Sequence, residues 1–293
     1  MKKSIFSNPW LPYFLIAPQM IVVLVFFFWP AFDSLRLSVF QVSAFGDKQI
    51  FVGLDNFVNL LVSPEYHRSV FHSFVFSLGV TFLGLTASLF LATLANQKIR
   101  GLPFYRTAVL WTYGVAPPVS GVIWLFIFHP SYGILTYALS MVTTYEFNWL
   151  LKGWIAMLLV IFAAAWGHLG YNIAFFLAAL QTIPKSVQDA AKVDGASGFS
   201  LFRWITFPLL SPVTFFLFIM NMVFSFFETF GIIHAVTQGG PGDMTTIMVY
   251  KTYQDGFAHL RIGSSAAQSV ILMALVIFLT VLQFRYTERK VFY

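Results

Sequence analysis

No Asp, Glu, Lys or Arg occurs between Ser4 and Phe32. About 20 residues of helix cross a hydrocarbon core roughly 30 Å thick. The run is therefore long enough to span a bilayer and too long for the apolar core of a cleaved leader. It reads as an anchor that stays, although Lys2 and Lys3 precede it. The same feature returns along the chain. The windows 11–32, 70–95, 107–129, 153–180, 211–233 and 263–284 are each long and apolar, and only Glu228 puts a formal charge inside one. The runs are continuous and do not alternate with period two, which favours helices over a barrel. The expectation is an all-α integral membrane protein with six transmembrane helices in a single domain over 1–293.

Composition agrees. Hydrophobic residues make up 58% of the chain and charged residues 10%, with 36 Phe. A soluble domain carries about a quarter charged residues, so lipid is the solvent to expect. No cysteine is present, which excludes disulfide and thiolate chemistry. The formal charge of +6 reads as membrane topology and not as nucleic-acid binding. Six spans put both termini on one side. That side would hold Lys2, Lys3, Lys98, Arg100, Arg106, Lys185, Lys192, Arg203, Arg285, Arg289 and Lys290, against Asp189, Asp194 and Glu288. The positive-inside rule places it in the cytoplasm, together with the long loop at about 181–210. The opposite side receives 33–68 with "FVGLDNF" (51–57), 130–152, and 234–262 with the turn-forming "TQGGPGD" (237–243).

Several chemistries have no motif to carry them. There is no G-x-x-x-x-G-K-[ST], H-E-x-x-H or G-x-S-x-G, so nucleotide, zinc and serine-nucleophile sites are not expected. His67, His72, His129, His168, His234 and His259 are scattered and read as interfacial hydrogen-bonders. Internal repeats, low-complexity tracts and a soluble domain are not evident.

The stretch "DAAKVDGASGFSLFRWITFPLLSP", Asp189 to Pro212, interrupts this apolar chain with small and charged residues. Pro184 suits a first helical turn. Lys185 to Asp194 then reads as a short helix with Val187, Ala190, Ala191 and Asp194 on one face. Gly195 can take the positive φ that turns the chain. A further apolar segment runs from Phe199 to Pro208. These residues suit either a compact knob offered to another protein or an amphipathic connector lying at the interface.

The stretch resembles the signature loop of permease subunits in ATP-driven, binding-protein-dependent importers: Glu-Ala-Ala, three residues, Gly, nine residues, Ile, then Pro nearby. Here Asp189, Ala190, Ala191, Gly195, Ile205 and Pro208 fall at that spacing, with Asp189 replacing the usual Glu. "FVGLDNF" and "TQGGP" are similar to the carbohydrate-type branch. The segments 101–130 and 264–293 look closer still to the A-type permeases of sn-glycerol-3-phosphate importers.

The resemblance implies a type I ABC importer permease fold in the bacterial inner membrane, with a cytoplasmic coupling helix between the fourth and fifth spans. Asp189, Ala190, Ala191, Asp194, Gly195, Ile205 and Pro208 would serve coupling. The implied partners are a second permease, two ATPase subunits, an extracytoplasmic substrate-binding protein and membrane lipid, with no nucleic acid. ATP and Mg would sit on the ATPases, with no cofactor on this chain, which is not itself an enzyme. The cargo implied is sn-glycerol 3-phosphate or a related glycerophosphodiester, with a sugar as the alternative. An ion-coupled carrier and a membrane-embedded lipid-modifying enzyme are the rival classes.

Family pathways are lined largely by the fourth and fifth spans. Trp166, Tyr171, Asn172, Ser225, Glu228 and Thr229 are therefore candidate pathway residues. Glu228 reads equally as a paired carboxyl holding helices together. An anionic cargo also meets a difficulty, because no Lys or Arg falls within any expected span.

Overall fold

A computed structural model describes residues 10–43, 47–97, 101–142 and 148–290. Lys2, Lys3, Lys98 and Arg100 of the positive-inside argument lie outside the described residues, as do the side chains of Glu288, Arg289 and Lys290. The chain is mostly helical. By its internal contacts it divides into two compact units, Met1–Ser63 with Thr252–Ile271, and Pro64–Lys251 with Leu272–Tyr293.

The first unit opens with a 27-residue span, Leu11–Leu37, none of whose apolar window is buried within the chain. It comprises α1 (Leu11–Val23), a π-turn (Leu24–Phe28) and α2 (Trp29–Leu37). A short antiparallel hairpin, β1 (Phe40–Val42) and β2 (Gln49–Phe51), is the departure from an all-α fold. Its register pairs Phe40 with Phe51, whose rings meet edge-on at 5.5 Å. "FVGLDNF" finishes β2 and begins α3 (Asp55–Val62). Asn56 Nδ2 donates to the carbonyls of Ser38 and Phe40 at 2.8 and 3.0 Å, fastening α3 to the hairpin. From the far end of the sequence come a π-turn (Gln254–Ala258) and the start of α14 (Ile262–Lys290). Buried Asp255 accepts from Gln268 Nε2 at 2.6 Å and lies 3.1 Å from His259 Nδ1.

The second unit is built around α8 (Gly153–Thr182), which packs on α4 (Pro64–Ala95), α6 (Pro117–Ile127) and α11 (Phe207–Phe227). Without a hydrophobic drive between helices in lipid, small residues that permit close approach have to supply the contact. Ala156, Ala163, Ala164 and Ala165 do so, all buried. Towards the other end of α8, Ile173, Phe176 and Leu180 form an apolar cluster with Leu85, Ala92, Leu210 and Leu217. The remaining helices are α5 (Leu102–Leu110), α7 (Ile134–Val142), α9 (Lys185–Val193), α10 (Gly198–Leu201), α12 (Phe230–Val236) and α13 (Met248–Tyr253), the last crossing the unit boundary.

Two of the six expected spans are not simple helices. Among the described residues five helices are long and apolar enough to cross a membrane, and the number reaches six when a bent pair is counted as one span. The window 107–129 is Pro103–Gly114 and Pro117–Ile127, turned through 106°. Pro117 and Pro118 have no N–H to continue the ladder, and Ala116 before them is extended (φ −60°, ψ 140°). The window 211–233 is shifted. Helix runs from Gly198 to Phe227 and then breaks at Glu228 and Thr229 before α12. The expected connector up to Pro208 is thus helical, because the π-turn Phe202–Thr206 widens the backbone two residues before Pro208. There the ring would otherwise clash with the carbonyl four residues back. Pro30 follows the π-turn Leu24–Phe28 at the same offset.

Candidate functional site

The two breaks face one cavity of about 480 Å³. Tyr113 to Pro117 line it from the first break, and Glu228 and Ile232 from the second. Gly167, His168 and Tyr171 of α8 and Met220, Val223 and Phe224 of α11 complete the wall. Non-helical backbone at membrane depth is tolerated where protein buries it or where it lines a cavity.

The first break is clamped from several directions. Gly170 N–H donates to Thr112 Oγ1 at 3.0 Å, and Ser120 Oγ donates to the Ala163 carbonyl at 2.9 Å. A Cβ on Gly170 would stand 2.8 Å from the Leu110 carbonyl oxygen and 2.9 Å from Thr112 Oγ1. Only glycine admits the turn so close to α8. At the second break, Thr229 Oγ1 donates to the Ser225 carbonyl at 2.8 Å and Ser225 Oγ to the Asn221 carbonyl at 2.7 Å. Glu228 stands at the C-terminus of α11, exposed, and among the described residues it forms no ion pair.

The six candidate pathway residues separate into three groups. Tyr171 and Glu228 both line the cavity. Asn172, Ser225 and Thr229 are buried off it and do not line it. Asn172 pairs with Asn221 across α8 and α11, while the hydroxyls of Ser225 and Thr229 donate to carbonyls of α11. Glu228 ends α11 exposed while Ser225 and Thr229 are buried, so its side chain parts from theirs. Trp166 packs edge-on against Trp124 of α6 at 5.6 Å.

His168 is the residue that sequence reasoning passed over as a scattered histidine. Its ring stacks on Phe224 at 4.0 Å and 17°, with Tyr171 at 4.7 Å. Tyr171 in turn meets Tyr113 at 5.7 Å. His168 Nε2 is buried with no hydrogen-bond partner. The signal was present in the sequence: His168 sits mid-way along an apolar run, one turn before Tyr171 and so on the same face.

The signature stretch forms a helix followed by a sharp turn. α9 covers Lys185–Val193, with Asp194 as its C-cap and Gly195 at φ +88°. Gly195 N–H donates to the Lys192 carbonyl (3.0 Å) and Ala196 N–H to the Ala191 carbonyl (2.9 Å). This is the Schellman arrangement, and it needs a residue at ease with positive φ. Asp189 and Lys192 pair at 3.2 Å on the exposed side. The face expected to hold both alanines does not do so. Ala190 is exposed with Val187, Val193 and Asp194, whereas Ala191 is buried. Positions i+3 and i+4 lie about 100° apart, at opposite edges of that stripe, and the buried edge is the one that carries Ala191. Ile205 is half-buried in the π-turn, and Pro208 is exposed.

The bundle of long apolar helices, the clamped cavity and the helix-turn stretch define a membrane transport subunit. The family profile for the binding-protein-dependent transport system inner membrane component matches residues 84–293. The chain belongs to that family, the permease subunits of ABC importers, and is accordingly a multi-pass inner-membrane protein and a transport component rather than an enzyme. Ion-coupled carrier and lipid-modifying enzyme are thereby set aside.

Among its relatives, the sn-glycerol-3-phosphate transport system permease protein UgpA of Brucella abortus biovar 1 is 51% identical over 293 residues, covering all of both chains. The protein of the same name from Rhizobium meliloti is 50% identical, with full coverage of both. That from Escherichia coli O157:H7 is 47% identical, covering 99% of this chain and 98% of its own. A chain of a bacterial ABC transporter for import of the acidic polysaccharide alginate shares the fold. It has a TM-score of 0.81 at 20% identity, over 97% of this chain and 96% of that one. The same kind of transporter, solved with an alginate pentasaccharide-bound periplasmic protein, matches at a TM-score of 0.77 and 21% identity, over 95% of each chain.

Proposed function

We propose that this chain is the A-type permease of an importer for sn-glycerol 3-phosphate or a related glycerophosphodiester. The supporting observation is identity of 47–51% along essentially the whole length of permeases named for that cargo. It forms half of the pathway and pairs with a second, similar permease. Two ATPase subunits hold ATP and Mg, and an extracytoplasmic binding protein delivers the cargo. This chain carries no cofactor and binds no nucleic acid. Both termini and the 181–210 loop lie in the cytoplasm, a reading that the excess of basic residues there supports.

Helix α9 is the coupling element. Ala190 presents a small exposed surface, Asp189 and Asp194 give it charge, and Gly195 turns the chain sharply behind it. Ala191 holds the helix to its own chain, and Ile205 and Pro208 set the following helix. Closure of the ATPases on ATP drives α9, and the permeases alternate between inward- and outward-facing states. The cavity between the two breaks belongs to the pathway. Glu228 supports this placement. A charged side chain facing lipid at membrane depth costs about 2.5–3.5 kcal/mol, so an exposed one should meet water or a partner subunit.

The test is uptake and ATP hydrolysis by the reconstituted complex, with the delivery protein loaded in turn with each cargo. Hydrolysis stimulated by glycerol 3-phosphate, with uptake to match, is the expected result. Stimulation by a neutral sugar alone would overturn the cargo assignment. The cavity makes that comparison worth including, since neither Lys nor Arg lines it.

A further inference from the structure

We propose that the cavity between the two helix breaks receives the hydroxyl-bearing part of the cargo and excludes its phosphate, with Glu228 and His168 as the hydrogen-bonding groups. The inference rests on the pathway reading above and specifies which half of the cargo this chain reads.

The lining decides the chemistry. Its formal charge is the Glu228 carboxylate, and no Lys or Arg offsets it. A desolvated phosphate needs cationic or multiple N–H donors. The N-terminus of α6 at the cavity does not supply them. Pro117 and Pro118 have no N–H, and the next two amides, Val119 and Ser120, already donate to the Ala116 carbonyl at 2.9 and 3.1 Å. The helix end that would ordinarily bind an anion is thus spent. The Glu228 carboxylate on the cavity wall would repel phosphate further.

A polyol meets the opposite situation. Glu228 is an acceptor-only group free of ion pairs among the described residues, suited to hydroxyl donors. His168 is held between Phe224 and Tyr171, and its Nε2 is buried and unpartnered. Such an atom costs free energy while unpaired, and a shift of the ring toward the cavity would let a ligand or water satisfy it. The flat faces of Tyr113 and Tyr171 give the carbon skeleton an apolar surface beside these polar points. The phosphate is then left to surfaces outside this cavity.

The chain has no cysteine, so one introduced thiol reports on the site alone. Ala116→Cys places it on the cavity wall at an exposed position. In the full complex without delivery protein, maleimide labelling of this chain is followed with glycerol, inorganic phosphate or glycerol 3-phosphate present at equal concentration. Glycerol and glycerol 3-phosphate should slow labelling at least threefold, and phosphate should not. Protection by phosphate equal to or greater than that by glycerol overturns the proposal, as does protection by none of the three.

Kinetics supply a second readout that needs no thiol. Glu228→Gln retains an acceptor and should raise the KM for glycerol 3-phosphate uptake about threefold. Glu228→Leu and His168→Phe should raise it at least tenfold. Faster uptake in Glu228→Lys would show phosphate at this position and overturn the proposal. Failure of glycerol 3-phosphate to stimulate the wild-type complex at all would instead remove the underlying cargo assignment, so the two failures are distinguishable.

Discussion

Asn172 and Asn221 bind each other through both amides. Asn172 Nδ2 donates to Asn221 Oδ1 at 3.0 Å, and Asn221 Nδ2 returns a bond to Asn172 Oδ1 at 2.7 Å. Both residues are fully buried, on α8 and α11, and Asn221 Nδ2 also donates to the Leu217 carbonyl at 2.8 Å. The pair fixes the rotation of α11 against α8, and so places Phe224 under His168. Replacing either Asn by Leu leaves its partner unsatisfied in an apolar interior. The expected cost is about 1–3 kcal/mol for each single change. The Asn172→Leu, Asn221→Leu double substitution should cost less than the sum, because it leaves no unpaired amide behind. Thermal melts of the detergent-solubilised protein would measure the cycle, and strict additivity would refute the coupling.

Gly170 controls how closely the first break approaches α8. In Gly170→Ala the new methyl would meet backbone oxygen at 2.8 Å, so the break has to move. A cost of about 1–3 kcal/mol is expected from overpacking. Because the break lines the cavity, uptake should fall at least tenfold even where the chain still reaches the membrane in normal amount. Wild-type uptake in this variant would show that the break is not part of the pathway.

Buried Asp255 depends on Gln268. The amide Nε2 donates to the carboxylate at 2.6 Å, and His259 lies on the other oxygen at 3.1 Å. Gln268→Leu removes a charge-assisted bond, for which about 1.5–3 kcal/mol is the expected loss. Adding Asp255→Asn should recover part of that stability by removing the buried charge. The measurement is again the melting temperature, and an unchanged value in Gln268→Leu would show that Asp255 is held by its other contacts alone.

The sequence reveals what lipid imposes and hides what individual side chains decide. Long uncharged runs such as Ser4–Phe32 declare spanning helices because the hydrocarbon admits little else. The Asp189–Gly195 spacing likewise declares a helix closed by a glycine turn. The breaks are harder to read. Pro117 and Pro118 signal one, but the 106° bend depends on Gly170 and Ser120 holding it from another helix. Glu228 looks like a charge inside a helix because the hydrophobic run continues through Ile233. The helix ends before it all the same, and nothing local to "FSFFETFG" announces this. Asn172 and His168 are four residues apart on one helix, yet one is spent on Asn221 while the other faces the cavity. Only the packing of α11 separates those roles.

The sharpest prediction concerns adjacent alanines with opposite surroundings. Ala190 is exposed on α9 and Ala191 is buried. Ala190→Asp adds a charge to a solvated surface, so the folded chain should keep its abundance and melting temperature to within about 0.5 kcal/mol. If α9 docks into an ATPase subunit, that same charge is buried at the contact, and uptake and cargo-stimulated hydrolysis should collapse together. Ala191→Asp forces a carboxylate into the chain's own interior and should lower stability and abundance before any question of docking arises. Gly195→Asp tests the turn. A non-glycine residue at φ +88° is strained by about 1–2 kcal/mol, which shifts the exit of α9 without touching its exposed face. Measuring abundance, melting and uptake in all three variants separates the roles. Normal uptake in Ala190→Asp with normal abundance would mean that the exposed face of α9 meets no partner, and α9 would then be only a connector at the membrane surface.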